Sequence, residues 1–589
     1  MNKLKLSGNA LLVLKARYLR RDALGRIVES PDALFERVAR TIGEAGRLCD
    51  GEDHTDSYHE LLGSLDFLPN SPTLMNAGAE RSQLSACFVL PVDDSLEDIF
   101  ESIKRMALIQ RTGGGTGFSF SRLRPRGDVL SSSGGKSSGP VSFLRIIDAV
   151  TANIKQGGRR RGANMGILRV DHPDIMEFIR LKSDQHSAQN FNLSVGITDD
   201  FMHSLENGSE LHLINPTTLQ CARTLPAREV FDAITQGAWK TGDPGLVFLD
   251  AINRANPTPQ LGDIKATNPC GEVPLLPNEA CNLGSINLTN MICTQEQRET
   301  VNWEKLRRTV HLAVRFLDDV IEAGTFPFEE ISRMVKGNRK IGLGVMGFAD
   351  MLIELGISYD SDEAVNFAEE LMRFIASEAL IASEMLATKR GLFPNWKGSQ
   401  CEAQGLRVRN ATRTAIAPTG TIGIIAGASA GIEPLFAIAY CRSHVLDEQT
   451  MWEFNPHFLQ HIRRRGLDEG SLIEAVRKCG NLREVSGLPA EIRSLFMTAL
   501  EIPPERHLQI QAAFQRHVDN SVSKTINLPP EATVDDIGTI FRRAWKLGLK
   551  GITVFRYGCK PEQVFELGAG EEAQHREHTS RCDPGECRL

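Results

Sequence analysis

The sequence predicts an α/β protein with one large core. Three observations carry this. Of the 589 residues, 41% are hydrophobic and 24% charged, the balance of an ordinary globular chain. Apolar runs of strand length, bounded by glycine and proline, recur at 83–92, after Gly115 and at 412–425. Between them lie segments with helical apolar spacing, at 31–42, 96–109, 300–335 and 361–390. Length alone allows several domains, but α/β barrels run long as single units.

Composition also excludes some functions. A net charge of −7 gives no global reason to bind nucleic acid, so any anion site is local. The 12 cysteines are scattered and form no dense disulfide framework, which points to a reducing, cytoplasmic compartment. Residues 1–14 run straight into Lys15-Ala-Arg-Tyr-Leu-Arg-Arg21 without a small-residue cleavage site, which argues against a signal peptide. No apolar run reaches membrane-spanning length.

In chain order, residues 1–60 read as short helices, with Ser30 as N-cap before Pro31. Residues 61–560 form the main domain, and 561–589 a polar arm. Cys87 lies in a strand and by itself reads as a core thiol. Asp94 is an N-cap candidate for the helix starting at Leu96. The cluster Gly113-Gly-Gly-Thr-Gly117 permits close approach of a ligand. Residues 131–140 resemble a P-loop but fail its spacing, because Leu130 stands where glycine is needed; a mobile loop is expected. Arg159, Arg160 and Arg161 sit in a glycine-rich loop, 156–166. It is either a solvated turn or a loop that meets phosphates and base edges.

The densest chemistry lies in 268–288. Asn268, Cys270 and Glu272 alternate, so an extended segment would put all three on one face. Pro269 and Gly271 between them suit a rigid loop tip. Cys281 follows without a C-x-x-C knuckle or nearby histidine, which disfavours zinc. Further on, Gly342-Leu-Gly-Val-Met-Gly347 spells G-x-G-x-x-G. The polar residues before it argue against a dinucleotide fold, and close helix packing is expected instead. Pro418-Thr419-Gly420-Thr421, at a strand end, reads as an anion seat or a plain turn. In the arm, Cys582 and Cys587 flank Asp-Pro-Gly-Glu. They read as a redox pair or, with His575 and His578, as zinc ligands.

The pattern Asn268-x-Cys270-x-Glu272, then Pro274-x₆-Cys281-Asn-Leu-Gly-Ser-Ile-Asn-Leu288, resembles the active-site finger loop of ribonucleotide reductases. The resemblance implies a ten-stranded α/β barrel of two parallel five-stranded halves, antiparallel to each other, with the finger loop through its centre. It implies that Cys270 becomes a thiyl radical, that Glu272 is a general base, that Asn268 orients the ribose, and that Cys87 pairs with Cys281 as a disulfide. Substrate contacts fall on Ser71, Ala86, Cys87, Gly115 and residues 268–272 (Asn268, Pro269, Cys270, Gly271, Glu272). The phosphates fall on Pro418, Thr419, Gly420, Thr421 and Ile422. Effector nucleotides fall on Asp94, Ser95, Leu96 and Arg124, and on Arg159 to Arg161 as the specificity loop.

Within the family, Gly551-Ile-Thr-Val-Phe-Arg556 is similar to the adenosylcobalamin-dependent branch. The paired tyrosines of the branch served by a separate radical subunit are missing, and the whole chain has 5 tyrosines. No room is left for the N-terminal nucleotide-sensing cone, so shut-off by dATP is not expected. The implied partners are a ribonucleotide, deoxynucleotide or ATP effectors, a thioredoxin- or glutaredoxin-like reductant through Cys582 and Cys587, and a second copy as homodimer. Neither nucleic acid nor membrane is expected. The alternatives are a class I large subunit with a separate radical subunit, a non-catalytic nucleotide-binding regulator, and a zinc-stabilised structural protein.

Overall fold

Five parallel strands form the first half of a barrel. They are β1 (Cys87–Leu90), β2 (Gly115–Ser119), β3 (Asn164–Arg169), β4 (Phe191–Ile197) and β5 (Gly245–Phe248), paired in that order. The computed structural model describes residues 4–560 except 81, 130–133, 157–159, 185, 443–450, 484, 486 and 487. The second half runs from β6 (Ala280–Asn287) to β7 (Ile341–Met346), parallel and in register from Asn282 opposite Ile341. A short segment comes next: Thr414 bridges Leu343, and Ile416 bridges Val522, both parallel. Val522 leads into β8 (Thr525–Leu528), which pairs in parallel with β9 (Gly551–Arg556). Two antiparallel seams join the halves, β1 with β6 and β5 with β9. The ring therefore closes, and closure removes the sheet edges.

Alternation along the strands explains the two cores. Phe88, Leu90, Leu168, Leu246, Phe248 and Ile286 point outward into the large cluster shared with the helices. Cys87, Val89, Met165, Ile167, Val247, Cys281 and Leu283 point inward and form a separate cluster with Ala266, Val273, Leu275, Leu276 and Ala415. Four of these inner residues belong to 266–276, so the predicted finger does occupy the barrel interior.

The helices follow local rules. Helix α1 (Pro31–Asp50) starts where the Ser30 hydroxyl accepts from Ala33 N, and stops at Gly51 in the left-handed region. It buries Leu34, Phe35, Val38 and Ile42. Helix α2 (Leu96–Arg111) is capped by Ser95, not by Asp94 as expected, because the Asp94 carboxylate is taken by Arg124. The predicted helix at 300–335 is two helices, α3 (Trp303–Ala323) and α4 (Glu329–Asn338), with Pro327 in the break. Helix α5 (Asp362–Arg390) matches the expected 361–390.

Two expectations are corrected here. The glycines of 342–347 do not serve helix packing. Gly342 and Gly344 lie on strand β7, where a Cβ at Gly344 would stand 2.3 Å from the Ala415 carbonyl oxygen, and Gly347 is the left-handed N-cap of the next helix, Phe348–Leu355. The polar run before β7 hides this strand because its last two side chains, Arg339 and Lys340, are buried in ion pairs rather than lying on a loop surface. The loop 156–166 is shorter than expected: Arg160–Arg161 pairs with Lys155–Gln156, and Asn164 already begins β3. Arg159 and part of the predicted mobile loop 131–140 lie outside the described residues, as does the arm with His575, His578, Cys582 and Cys587. Among the described residues, no helix is long and apolar enough to cross a membrane.

Candidate active site

The finger is a hairpin, Ala266–Thr267 against Pro274–Leu275, and its tip is built by Asn268. Asn268 N donates to Val273 O at 3.2 Å, and its side-chain Oδ1 accepts from Val273 N at 2.9 Å. Gly271 N donates to Asn268 O at 3.1 Å, which turns the chain at Pro269 and Cys270. Gly271 has φ +82°, where a side chain would be strained. The tip is thus a turn rather than an extended run, and this corrects the one-face expectation. Asn268 and Glu272 meet inside, whereas Cys270 is exposed at the apex.

Inward glycines make room for the finger. A Cβ on Gly117 would lie 1.8 Å from the Thr267 carbonyl oxygen, and one on Gly115 would lie 2.8 Å from Pro269 Cγ. At Gly117 the group admitted is the finger's own backbone, and at Gly115 it is the ring of Pro269. Asn192, a residue the sequence did not single out, donates from Nδ2 to Pro269 O at 2.7 Å. Ser521 N holds the other flank through Glu272 O at 2.8 Å.

Behind the tip, the reactive groups converge. Asn268 Nδ2 donates to Glu272 Oε2 at 2.7 Å and to Cys87 Sγ at 3.2 Å. Cys87 and Cys281 are directly opposed on the β1–β6 seam, both buried and both free thiols. Burial pushes the Glu272 carboxyl up to about 7, against the hydrogen bond from Asn268. Burial also raises the Cys87 thiol well above its ordinary value, with the Glu272 charge and the other two cysteines adding to the effect. Burial raises Cys281 too, with the Lys340 charge opposing. A carboxylate that titrates near neutrality suits proton transfer, and three thiols around it suit redox or radical chemistry. Among the described residues, no group of His, Cys, Asp and Glu is arranged to hold a metal.

The remaining predicted residues fall into two sets. Ser71 Oγ lies 2.7 Å from the Tyr18 hydroxyl, and Arg17 Nη1 donates to Thr421 Oγ1 at 3.5 Å, so the first helical segment reaches both. Pro418 leads into helix α6 (Gly420–Ala426), whose N-cap Thr419 has φ +52° and uses its hydroxyl to accept from Gly431 N at 2.7 Å. Ile422 is buried on this helix, and Ala86 N donates to Cys281 O at 3.2 Å. The second set is separate: Arg124 Nε donates to Asp94 Oδ2 at 2.7 Å, Ser95 caps α2, and Leu96 is 60% exposed.

The comparisons with known proteins agree with this geometry. Residues 4–82 match the family described as ribonucleotide reductase, all-alpha domain. Residues 85–408 and 401–555 match ribonucleotide reductase, barrel domain. A vitamin B12-dependent ribonucleoside-diphosphate reductase of Thermoplasma acidophilum is 48% identical, over 98% of this chain and 82% of the relative. A protein of the same name from Mycobacterium tuberculosis is 50% identical, over 96% of this chain and 82% of the relative. The α subunit of the Actinobacillus ureae class Id ribonucleotide reductase superposes with a TM-score of 0.76 at 23% identity, covering 95% of this chain and 98% of that one, a likeness of fold. With a closed two-seam barrel, a thiol-bearing finger inside it and these matches over nearly its whole length, the chain belongs to the ribonucleotide reductase family.

Proposed function

We propose that the protein reduces ribonucleotides to 2′-deoxyribonucleotides, with a diphosphate as substrate and adenosylcobalamin as cofactor. The names of its relatives support both choices. The observation that carries the reading is the finger tip: an exposed thiol at Cys270, with Glu272, Asn268, Cys87 and Cys281 gathered behind it. The exposed thiol fits a radical cofactor that approaches from outside the barrel, and adenosylcobalamin, when bound, supplies the radical chemistry.

The chain's own residues do the rest. Cys270, as a thiyl, takes the 3′ hydrogen, because S–H and activated C–H bonds exchange hydrogen reversibly. Glu272 accepts the 3′-hydroxyl proton, and its affinity near 7 suits that task. Asn268 holds Glu272 and orients the ribose. The 2′-hydroxyl leaves as water. Cys87 and Cys281 give two electrons and two protons and end as a disulfide, Glu272 returns its proton to the 3′ oxygen, and Cys270 returns the 3′ hydrogen. The barrel wall keeps water and stray reductants from Glu272, Cys87 and Cys281 behind the tip.

Substrate phosphates sit at Pro418 to Ile422, with Ser71, Ala86 and Gly115 lining the nucleoside. Effectors bind at Asp94 to Leu96 and Arg124 of a homodimer, and Arg159 to Arg161 report them to the site. Cys582 and Cys587 pass electrons from a thioredoxin- or glutaredoxin-like protein. Cys49, Cys221, Cys293, Cys401 and Cys559 are free thiols, as are the three at the site, which suits a reducing cytoplasm.

The second reading, a class I large subunit, would need a phenol relay near β9. There Arg556 instead stacks 4.2 Å from the Trp239 ring centroid, and Tyr557 has no tyrosine beside it. Ribonucleotide reduction assayed in dithiol, with and without adenosylcobalamin, decides. Product only with the corrinoid supports the proposal. Product only with a metal-loaded radical subunit overturns it.

A further inference from the structure

The finger tip is gripped by both half-barrels, and one of the two grips is a single side chain. From the second half, Ser521 N donates to Glu272 O at 2.8 Å. From the first half, Asn192 Nδ2 donates to Pro269 O at 2.7 Å. A carbonyl only accepts, so the amide must turn its nitrogen toward Pro269. Asn192 lies on β4, opposite Met165 of β3. Phe191, Leu193, Val195 and Ile197 of β4 enter the outer cluster, so Asn192 faces the barrel interior. It is the one exposed position on a strand that is otherwise buried, and Cys270 is exposed as well. With Pro269 between them, the two residues border the same opening.

The bond from Asn192 falls on the soft torsion of the tip. The turn is closed by Gly271 N on Asn268 O at 3.1 Å, with Pro269 and Cys270 as its central residues. The pyrrolidine ring fixes φ of Pro269, and the ring is seated where a Cβ on Gly115 would come within 2.8 Å of its Cγ. What remains free is ψ of Pro269, the rotation of the Pro269–Cys270 peptide. That rotation separates a type I from a type II turn. Cys270 keeps a negative φ, so the turn is not type II. The peptide is planar and carries the Pro269 oxygen at one end and Cys270 Cα at the other. Holding the oxygen therefore sets the direction in which Cα presents the thiol. Glu272 has separate supports: the Ser521 amide, and the Asn268 side chain that donates to its Oε2 at 2.7 Å.

We propose that Asn192 is a positioning residue for hydrogen transfer: by holding the Pro269 carbonyl it aims the Cys270 sulfur at the substrate carbon that gives up its hydrogen. This rests on reading Cys270 as the thiyl that takes the 3′ hydrogen. In that step the C3′–H bond breaks and an S–H bond forms. The unpaired electron passes from sulfur to C3′, and no other reactant is consumed. Sulfur, hydrogen and carbon must therefore meet in line, and an error of about 1 Å costs about 100-fold in rate. The supports of Glu272 do not pass through Asn192, so its loss should spoil hydrogen transfer and leave proton transfer to the base intact.

The test compares Asn192→Ala with Asn192→Asp in the full chain. Alanine removes the donor. Aspartate keeps the size of asparagine but turns an oxygen toward an oxygen, so at pH 8 it should be the slower of the two. Packing alone would rank them the other way. In both variants kcat should fall about 10–100-fold, with KM for the ribonucleotide unchanged. In the alanine variant the Glu272 inflection at about pH 7 should stay in place. The isotope effect of 3′-deuterated substrate on kcat should rise, because hydrogen transfer becomes the slow step. A variant that merely folds less well loses active molecules and leaves that effect where it was. Without substrate, hydrogen exchange read by mass spectrometry should quicken in 266–273 and stay unchanged in 280–287. Wild-type kcat and tip exchange in both variants, a faster aspartate than alanine variant, or a reduced kcat with an unchanged isotope effect overturns the proposal. Product formation by Cys270→Ser is a different result; it removes the thiyl reading and the proposal with it, whatever the exchange data show.

Discussion

Cys87 and Cys281 stand directly opposite each other across the antiparallel seam between the two half-barrels. Opposed residues on an antiparallel pair have Cβ atoms about 4.5–5.5 Å apart, only slightly more than a disulfide needs. The pair can therefore close and open with small movements while both strands stay in the ring.

Replacing the exposed apex thiol, Cys270→Ser, should abolish product formation and leave nucleotide binding nearly intact. A hydroxyl fills similar space but does not give up its hydrogen as a thiol does. Deoxynucleotide above the level of wild-type contamination, read by chromatography, would remove the thiyl assignment.

Glu272 predicts a pH dependence in two observables. As a base it must be ionised, so kcat/KM should fall as pH drops through about 7. Glu272→Gln should lose about 10²–10⁴-fold in rate together with that inflection. Stability moves the other way. Between 4.5 and about 7 the folded protein holds a proton that the unfolded chain has released, so this group's contribution is full below the window and lost as pH rises through it. Glu272→Gln should therefore raise Tm relative to wild type at pH 8 and change it little at pH 4. An unchanged difference between the two pH values refutes the buried-carboxyl account.

Gly117→Val should displace the finger, since a Cβ there would overlap the Thr267 carbonyl oxygen. A misplacement of about 1 Å at a reacting group costs about 100-fold in rate. Gly63→Ala is the control, because a Cβ there meets nothing within 4 Å. Equal activity in the two variants would mean that the finger does not depend on this contact.

Arg124→Ala should flatten the effect of deoxynucleotide effectors on which base is reduced. The Asp94–Arg124 pair is partly exposed, so its loss should cost at most about 1 kcal/mol of stability. Product ratios across the four substrates, with and without effectors, are the measurement. Ratios that still respond fully place the effector elsewhere.

Cys582→Ser combined with Cys587→Ser should block repeated turnover with thioredoxin-like reductants but allow one turnover from reduced enzyme. A small dithiol should restore part of the steady rate. If these residues hold zinc instead, single turnover and stability should fall together, with zinc lost from the wild-type stoichiometry.

The finger was legible in the sequence because its chemistry is local: amide, thiol and carboxylate at close spacing, with proline and glycine setting the turn. Ser30 and Pro31 mark the start of α1 for the same reason, whereas its end at Gly51 lies beyond the expected 31–42. What stayed hidden was tertiary. The strand read at 412–425 survives as the bridges at Thr414 and Ile416, but nothing local tells that they complete the ring between Leu343 and Val522. Lys340 and Glu279 read as loop polarity because their pairing spans 61 residues. The glycine cluster around Gly115 read as room for a bound ligand, since nothing nearby in sequence tells that Gly117 makes room for the carbonyl of Thr267. Asp94 looked like a cap until Arg124, 30 residues on, claimed its carboxylate.

The second seam, Leu246 opposite Ile552, joins segments separated by about half of the chain. Contacts of such long sequence separation form slowly, because a large loop must be ordered first. During synthesis, β5 emerges long before β9 exists to cover it. Until then the cavity is a trough, and its inward thiols lie open to any passing oxidant. A nascent chain of this kind spends its most oxidation-sensitive period before it has a radical to protect.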